Sequence, residues 1–477
     1  MMKKQQVTPL FDRLQDFAQQ HYDSFHVPGH KNGRIVAHKG QDFFDQLLPL
    51  DVTELSGLDD LHAAQGVIQD AQRLAAEWFG ATSSYFLVNG STVGNLAMIL
   101  ATVTEGDQVF IQRNCHKSLI HGIELANAQP IFLSPDYDEA VERYTAPSLE
   151  TIQLAFQQYP EVKALILTYP DYFGRTYDIK SMINYAHSYQ VPVLIDEAHG
   201  CHFSLPFVPS DSALDCGADI VVQSAHKMTP ALTMGAFLHI QSEQISSRDI
   251  EAYLQMLQSS SPSYPIMASL DLARHYLATY SKQHWHQLMA FIHEITTCFQ
   301  DSPHWKVIAH GEKDDPLKLT IAINSRLSVS TVAHVFEQEG IFPEMIDDNQ
   351  LLFVFGLTPH VDVDNFSRKL ESIHQQLNSS IKHAKIEEKR MPQLVSKIDT
   401  LQLSYRDMKR RTKRWIRWEE AIHHIAAEAI IPYPPGIPFI IKGEEITRDH
   451  VDWIQHIFSY HAEVQPAHRE KGLYIYM

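Results

Sequence analysis

The stretch Asp219-Ile-Val-Val-Gln-Ser-Ala-His-Lys-Met-Thr-Pro-Ala-Leu-Thr-Met-Gly-Ala-Phe-Leu-His-Ile240 places one lysine between two apolar runs. The β-branched run from Ile220 to Val222 predicts a buried strand, and the run after the lysine predicts a second. Ser224, His226 and Lys227 therefore leave the first strand at its end, in a polar turn that faces a cleft of an α/β sheet. Because burial and cationic neighbours lower the pKa of an amine, a lysine placed there is a candidate nucleophile toward a carbonyl carbon.

An acidic residue ends the preceding apolar run, Val191-Pro-Val-Leu-Ile-Asp-Glu-Ala-His-Gly-Cys-His202. The carboxylate of Asp196 can pair with a protonated pyridine nitrogen, which makes the ring of pyridoxal phosphate (PLP) an electron sink. Lys227 and Asp196 together predict a PLP site. The alternative is a metal site built from four closely spaced side chains of ligand type, Asp196, Glu197, His199 and His202.

A candidate phosphate site lies in Tyr85-Phe-Leu-Val-Asn-Gly-Ser-Thr-Val-Gly-Asn95, which predicts a strand, a turn and an apolar helix from Val93 to Thr102. Backbone amides at the helix start and the hydroxyls of Ser91 and Thr92 can bind a phosphate, which the helix dipole favours. An ordinary helix N-cap is the alternative interpretation. The lysine and glycine spacing of a Walker or dinucleotide loop is missing.

Two more predicted strands end at the same edge of the sheet. The strand from Gln108 to Ile111 is followed by Gln112-Arg-Asn-Cys-His-Lys-Ser118, and another lies in Ala164-Leu-Ile-Leu-Thr-Tyr-Pro-Asp-Tyr-Phe-Gly174. His116 can stack on a flat cofactor ring, although a structural histidine is the alternative. We expect these strand ends to converge on one cleft.

The chain of 477 residues is too long for one core. Apolar strands alternate with amphipathic helices from about Leu61 to His239, which predicts a mostly parallel sheet covered on both faces. The remaining predictions are helices at Gly66–Phe79, Ser148–Gln158, Ile179–Tyr189, Met267–Phe299, Ser330–Glu339 and Thr412–Ala429, strands at Leu317–Ile323 and Leu351–Phe355, a linker at Asn378–Arg390 and a turn at Pro432–Pro438. We predict an N-terminal segment (1–60), a large α/β domain (61–247), a small α+β domain (248–377) and a C-terminal α+β module (378–477).

Composition limits the classes of binding partner that the protein is expected to have. The chain has 39 basic and 57 acidic residues and a net charge of -18, which argues against nucleic acid or an anionic membrane and suits a cationic small molecule. No apolar run follows Met1-Met-Lys-Lys or approaches the length of a membrane span. The spacing of Cys115, Cys201, Cys216 and Cys298 fits neither a zinc site nor a disulfide framework, and it predicts a reducing cytoplasm.

The ordered motifs resemble the Orn/Lys/Arg decarboxylases of PLP fold type I, in the short form that lacks the N-terminal receiver-like wing domain. The resemblance covers nearly the whole chain and is nearest to a bacterial group whose description as lysine decarboxylases is itself inferred. It is carried by Ser24-Phe-His-Val-Pro-Gly-His-Lys-Asn-Gly33, Asp51-Val-Thr-Glu-Leu-Ser-Gly-Leu-Asp-Asp-Leu-His62, Asn89-Gly-Ser-Thr92, Arg113-Asn-Cys-His-Lys-Ser118, Asp196-Glu-Ala-His199, Ser224-Ala-His-Lys227 and Ser259-Ser-Ser-Pro-Ser-Tyr-Pro-Ile-Met-Ala-Ser-Leu-Asp271.

The resemblance implies a large domain of the aspartate aminotransferase-like transferase fold and a role for each site residue. Lys227 would carry PLP, Asp196 would pair with its ring nitrogen, and His116 would stack on the ring. The phosphate ligands would be Ser91, Thr92, Ser224 and His226, and His199 would lie near the ring hydroxyl. Family members commonly have Pro-Gly-Glu after Pro434-Pro-Gly-Ile-Pro438, whereas this chain has Lys442-Gly-Glu444.

The implied activity is PLP-dependent α-decarboxylation of lysine, arginine or ornithine to the corresponding amine, a reaction of polyamine biosynthesis. An aminotransferase of the same fold, a PLP-binding regulator without turnover and a metal-dependent hydrolase using Asp196, His199 and His202 are the alternatives. The family further implies a homodimer or higher homo-oligomer, in which the segment Ser261-Pro-Ser-Tyr264 lies at an active site; the alternative for that segment is a helix cap. The predicted helix at Thr412–Ala429, with Trp415, Trp418, Glu419, Glu420, His423 and His424, is either an exposed amphipathic helix or a substrate-facing surface.

Overall fold

The chain folds into two units. The first comprises Met1–Val103, Lys163–Tyr169 and Asp178–Ser281, and the second comprises Thr104–Val162, Pro170–Tyr177 and Lys282–Met477. The structure, a computed structural model, describes residues 4–242, 244–347, 349–380, 396–432, 436–459, 464–467 and 469–477.

Helices and strands alternate along most of the chain. The α-helices of the described residues are α1 (Pro9–Ala18), α2 (Gln41–Phe44), α3 (Val67–Phe79), α4 (Gly90–Leu100), α5 (Lys117–Ala126), α6 (Leu149–Gln158), α7 (Ile179–Ser188), α8 (Ala225–Met228), α9 (Ser247–Leu257), α10 (Tyr264–Thr279), α11 (Lys282–Phe299), α12 (Val329–Gln338), α13 (Val363–Ser380), α14 (Tyr405–Met408) and α15 (Arg448–Ser459). The strands are β1 (Ser83–Leu87), β2 (Gln108–Gln112), β3 (Gln129–Leu133), β4 (Tyr137–Asp138), β5 (Arg143–Tyr144), β6 (Ala164–Thr168), β7 (Val193–Asp196), β8 (Ile220–Gln223), β9 (Ala236–Ile240), β10 (Trp305–Val307), β11 (Lys318–Ile323), β12 (Met345–Asp347), β13 (Gln350–Val354), β14 (Ile398–Thr400), β15 (Lys413–Arg417), β16 (Ile431–Pro432), β17 (Val464–Gln465) and β18 (Gly472–Tyr476).

The strands of the first unit run in the order β1, β9, β8, β7, β6. β6, β7 and β8 are parallel, and β9 is antiparallel to both β8 and β1. Every residue of β7 and β8 is buried, as expected for parallel strands covered on both faces. Asp196 lies opposite Val222 in the register, so the acid at the end of β7 is adjacent to the end of β8.

A buried ion pair anchors the N-terminal residues within the first unit. Asp271 on α10 accepts hydrogen bonds from the backbone N–H groups of Leu10 and Phe11, at 3.0 and 3.3 Å, in the first turn of α1. These N–H groups have no partner inside the helix, so the carboxylate caps it. Arg274 Nη2 lies 2.6 Å from Asp271 Oδ1 and also donates to the Val7 carbonyl.

The second unit contains both parallel and antiparallel strand pairs. β2 and β3 are parallel, and β14 joins β3 antiparallel. The antiparallel order β10, β11, β13, β12 forms a separate sheet, and β15 pairs with β18. The C-terminal residues have their own core, which includes Ile416, Trp418, Ile454 and Leu473.

Most predicted elements before residue 260 and between residues 317 and 355 are confirmed. The predicted helices at Gly66–Phe79, Ser148–Gln158 and Ile179–Tyr189 are α3, α6 and α7. β11, α12 and β13 lie within a residue or two of their predicted bounds. The predicted domain boundaries at residues 60, 247 and 377 stay a prediction.

The single long helix predicted from Met267 to Phe299 is wrong. The chain forms α10 and then α11, with Tyr280 in extended conformation between them. The Tyr280 N–H donates to the Leu277 carbonyl at 3.1 Å, three residues back, instead of to the Tyr276 carbonyl that a continuing α-helix would use. Ser263 accepts from the Ile266 N–H and caps α10, which confirms the predicted cap in Ser261–Tyr264.

The helix predicted at Thr412–Ala429 is also wrong. Residues 413–417 form β15, paired with β18, and a 3-10 turn follows at Trp418–Glu420. Ile416 and Trp418 are buried while Arg417 between them is exposed, which is the period of a strand rather than a helix. Trp418 belongs to a core, so it is not part of an exposed surface.

Two predicted connections fall partly outside the described residues. The predicted linker begins at Asn378, but α13 continues to Ser380, and residues 381–390 lie outside the described residues. Residues 433–435 of the predicted turn lie outside them as well.

Candidate active site

Lys227 lies in a single helical turn directly after β8. Ser224 precedes α8 as its N-cap residue, and the Lys227 N–H donates to the Ser224 carbonyl at 3.1 Å. This turn directs the lysine toward the residues that follow β7. Lys227 Nζ lies 3.1 Å from His199 Nε2, a distance that allows a proton to be shared between amine and imidazole.

Asp196 ends β7 and is 2% exposed. Its Oδ2 accepts a hydrogen bond from Asn95 Nδ2 at 3.0 Å, and its Oδ1 accepts one from the Ala198 N–H at 3.2 Å. Burial raises the pKa of this carboxyl, while the positive charge of Lys227 and the two hydrogen bonds oppose the rise. A cationic ligand nearby would add a further opposing charge, so the site favours one.

Asn95 is a site residue that the sequence reasoning missed. It lies on α4, one turn after Ser91. A Cβ on Gly94 would lie 2.7 Å from Leu87 Cδ1 and 2.8 Å from Val222 Cγ1, so glycine lets α4 approach β1 and β8 closely. The i,i+4 spacing from Ser91 is the sequence signal that could have identified Asn95.

The predicted phosphate ligands lie around the start of α4 and the turn after β8. Ser224 Oγ donates to Ser91 Oγ at 2.7 Å, and Thr92 is exposed. Gly90 has φ +79, and a Cβ built on it would meet nothing within 4 Å, so there is open space at this helix start. His226 Nδ1 lies 3.0 Å from the Gly235 carbonyl; burial lowers the pKa of His226, and a bound dianion would oppose that effect.

The four residues of the metal alternative have separate environments. Glu197 accepts hydrogen bonds from the Ala213 N–H at 2.7 Å and from Gln223 Nε2 at 2.6 Å, and burial raises its pKa to about 8. His202 is buried, with its ring centroid 4.8 Å from that of Phe203. Within the part of the chain that the structure describes, no group of three or more His, Cys, Asp or Glu side chains is arranged to hold a metal ion.

His116 belongs to the second unit, where it is the N-cap residue of α5. Its Nδ1 accepts from the Ser118 N–H at 3.2 Å and lies 2.8 Å from Ser118 Oγ. These contacts fix the orientation of the ring. Its predicted stacking on a cofactor stays a prediction.

The groups collected in the first unit fit PLP. They are an amine for the aldehyde, a buried carboxylate for the ring nitrogen, and hydroxyls beside an open helix start for the phosphate. The sheet, with a lysine after one strand and an acid at the end of its neighbour, has the type I fold of PLP enzymes, which solved structures share.

The chain belongs to the Orn/Lys/Arg decarboxylase family. The family's major domain matches residues 8–313, and its C-terminal domain matches residues 384–465. The chain is 42% identical to the uncharacterized protein YaaO of Bacillus subtilis over 98% of both chains. It is 33% identical to an arginine decarboxylase of the same organism, over 94% of this chain and 93% of that protein.

A solved structure shows the same fold across the whole chain. Lysine decarboxylase A from Pseudomonas aeruginosa is 18% identical, with a TM-score of 0.82 over 100% of this chain and 81% of the other.

Among the described residues, no helix has the length and apolar composition needed to cross a bilayer.

Proposed function

We propose that the protein catalyses PLP-dependent α-decarboxylation of a basic amino acid, lysine, arginine or ornithine, to cadaverine, agmatine or putrescine and carbon dioxide. One observation carries the proposal: in a member of this decarboxylase family, Lys227 Nζ lies 3.1 Å from His199 Nε2 beside the buried carboxyl of Asp196. An amine and an imidazole in contact can deliver the proton that Cα needs, and a buried carboxyl can stabilise a protonated ring nitrogen.

Each site residue has one part in this proposal. Lys227 would carry the cofactor until substrate arrives, Asp196 would accept a hydrogen bond from the ring nitrogen, and His116 would stack on the ring. His199 would lie near the ring hydroxyl. The phosphate would be bound by Ser91, Thr92, Ser224 and His226.

PLP, when bound, supplies a sink for the electron pair left behind when the bond between Cα and the carboxylate breaks. Ionised Asp196 would stabilise the positive charge on the ring nitrogen. Carbon dioxide leaves, and Lys227 or His199 would return one proton to Cα before the amine product departs. Lys227 Nζ and His199 Nε2 lie within hydrogen-bond distance of each other. The group that donates a proton to Cα can therefore take another proton from its neighbour.

The preference for a basic substrate rests on the family and on charge. The relatives include proteins named arginine decarboxylase and lysine decarboxylase. The net charge of -18 favours approach of a cationic amino acid. A guanidinium and an ammonium need different partner geometries, so the choice among the three substrates is left to experiment.

The test is to incubate PLP-loaded protein separately with arginine, lysine and ornithine and to measure carbon dioxide and the amine product. The control is Lys227→Ala. We expect release from one substrate, abolished in the variant. Conversion of the cofactor to pyridoxamine without carbon dioxide would contradict decarboxylation and favour the aminotransferase alternative.

We also propose a homodimer or higher homo-oligomer in the cytoplasm. The oligomer is supported by large apolar side chains exposed in the N-terminal part of the first unit, which include Phe25, Val27, Ile35 and Phe43. Phe25 is 94% exposed. Sedimentation velocity should give at least twice the mass of 54.5 kDa, and a species of that single mass would contradict the proposal. The cytoplasmic location is supported by the cysteine spacing.

A further inference from the structure

The loop between β2 and α5 carries His116 and is bound on both sides of that residue by the C-terminal part of the same unit. Arg113 precedes His116 and is 9% exposed. Its Nη1 donates to the Pro438 carbonyl and its Nη2 to the Phe439 carbonyl, each at 2.8 Å. Arg113 thus crosses from the loop to the segment 436–444.

A carboxylate completes the environment of this arginine. Arg113 Nη2 lies 3.1 Å from Glu444 Oε2, and the same oxygen accepts from the Ile441 N–H at 2.8 Å. The donors of the planar guanidinium are spread over a fork that reaches two carbonyls and a carboxylate at once, whereas the three donors of a lysine ammonium all lie on one atom. Breaking the pair would leave carbonyl groups in a largely buried place without their donor, at a cost in free energy.

Lys117 follows His116 and makes the second attachment. Its backbone N–H, which has no partner inside α5, donates to the Gly436 carbonyl at 3.0 Å. Its Nζ donates to Gln465 Oε1 at 2.6 Å. The first turn of α5 is therefore held by the C-terminal residues through both main chain and side chain.

The third attachment is at the other end of α5. Glu124 forms an ion pair with Lys442. Both ends of the helix that His116 caps are held by the segment 436–444.

We propose that the C-terminal domain is a positioning element for His116, acting through Arg113 and the segment 436–444. The inference rests on the proposed role of His116 at the cofactor. Arg113 does not contact the cofactor in this proposal. It fixes the position of the loop that carries the His116 ring. Because that ring already has its Nδ1 bound to Ser118, the position of the loop sets the position of the ring.

The test compares Arg113→Lys with Arg469→Lys. Arg469 is the matched control because its own two-point pair, at 2.8 and 2.9 Å, is with Glu428 in the C-terminal part of the same unit. Three readouts are used: hydrogen–deuterium exchange of residues 117–126, the PLP dissociation constant, and the circular dichroism of bound PLP. Glu444→Gln serves as the milder second variant if Arg113→Lys folds poorly.

We expect Arg113→Lys to speed exchange in α5, weaken the cofactor dichroism and raise the PLP dissociation constant about tenfold, since charged hydrogen bonds are lost. Glu444→Gln should change the same readouts in the same direction by less, and Arg469→Lys should leave them at wild-type values. Wild-type readouts in Arg113→Lys, or equal changes in the control, would overturn the inference.

The result separates this inference from the proposed function. If the wild-type protein does not bind PLP, the proposed function fails, and the positioning role fails with it. If the wild type binds PLP and decarboxylates a substrate while Arg113→Lys is indistinguishable from it, only the positioning role fails.

Discussion

Replacing Asn95 with alanine removes a side-chain donor from Asp196 and tests the electrostatics of the proposed site. Asn95 Nδ2 lies 3.0 Å from Asp196 Oδ2, and Asn95 is 0% exposed. Because both side chains are buried, bulk water does not replace the lost donor.

The sign follows from the protonation state that Asn95 favours. Burial raises the pKa of Asp196, and the charge of Lys227 and the Asn95 hydrogen bond oppose that rise. Without Asn95 the pKa of Asp196 rises further. As the pH falls, the carboxyl therefore becomes protonated at a higher pH than in the wild type. A hydrogen bond to a charged group contributes about 1.5 to 3 kcal/mol, equivalent to about one to two pH units.

The assay is the pH dependence of kcat/KM for carbon dioxide release at saturating PLP. We expect the acid limb of the Asn95→Ala profile to move to higher pH by about one to two pH units. The control is Asp219→Asn, because Asp219 accepts from the Val193 N–H at 2.8 Å at the opposite end of β7. An acid limb at its wild-type position in Asn95→Ala would refute the role given to this hydrogen bond.

Three further changes test the fold around the site. Burial raises the pKa of Glu197 to about 8, above its ordinary 4.5. The stability contributed by protonated Glu197 is therefore present in full below its unfolded-state pKa. This stability is lost as the pH rises through 8. The difference in unfolding free energy between wild type and Glu197→Gln should therefore change by about 2 to 3 kcal/mol between pH 5 and 7 in urea titrations, and equal differences at both pH values would contradict this. Asp271→Ala should destabilise the protein by about 3 to 5 kcal/mol because it leaves Arg274 buried and unpaired. The double alanine variant should cost less than the sum of the single variants, and additive losses would count against the pair. Gly94→Ala should cost about 1 to 3 kcal/mol and weaken PLP binding, because the new Cβ meets Leu87 and Val222 at less than 3 Å. Gly356→Ala, which meets nothing within 4 Å, is its control, and the same loss in both variants would refute the clash.

Strands of the α/β region could be predicted from sequence because their burial is nearly complete. β7 and β8 are short apolar runs that end in polar turns, and covered parallel strands require that composition. The position of Lys227 after β8 follows from that local pattern. The prediction was wrong where tertiary pairing decided the outcome, since β15 exists because it pairs with β18 far along the chain.

Asn95 shows what local patterns leave out. Its hydrogen bond to Asp196 depends on the close approach of α4 to β8, and that approach depends on Gly94 having no side chain. A glycine inside a helix lowers helix propensity, so the sequence alone presents it as a weak point. Only the packing reveals that the glycine is needed for space.

Asp196 and Glu197 are adjacent buried carboxyls that differ in their charged neighbours, and we relate this difference to the proposed cofactor role of Asp196. Glu197 is bound by neutral donors, Gln223 Nε2 and a backbone N–H, and Gln223 Oε1 in turn lies 3.1 Å from His239 Nε2. Burial raises the pKa of Glu197 and lowers that of His239 to about 3, so this network favours neutral groups at both ends. Asp196 instead has Lys227 as a cationic neighbour. A cation that docks near these strands is therefore stabilised by Asp196, while Glu197 holds the turn after β7 in place through Ala213.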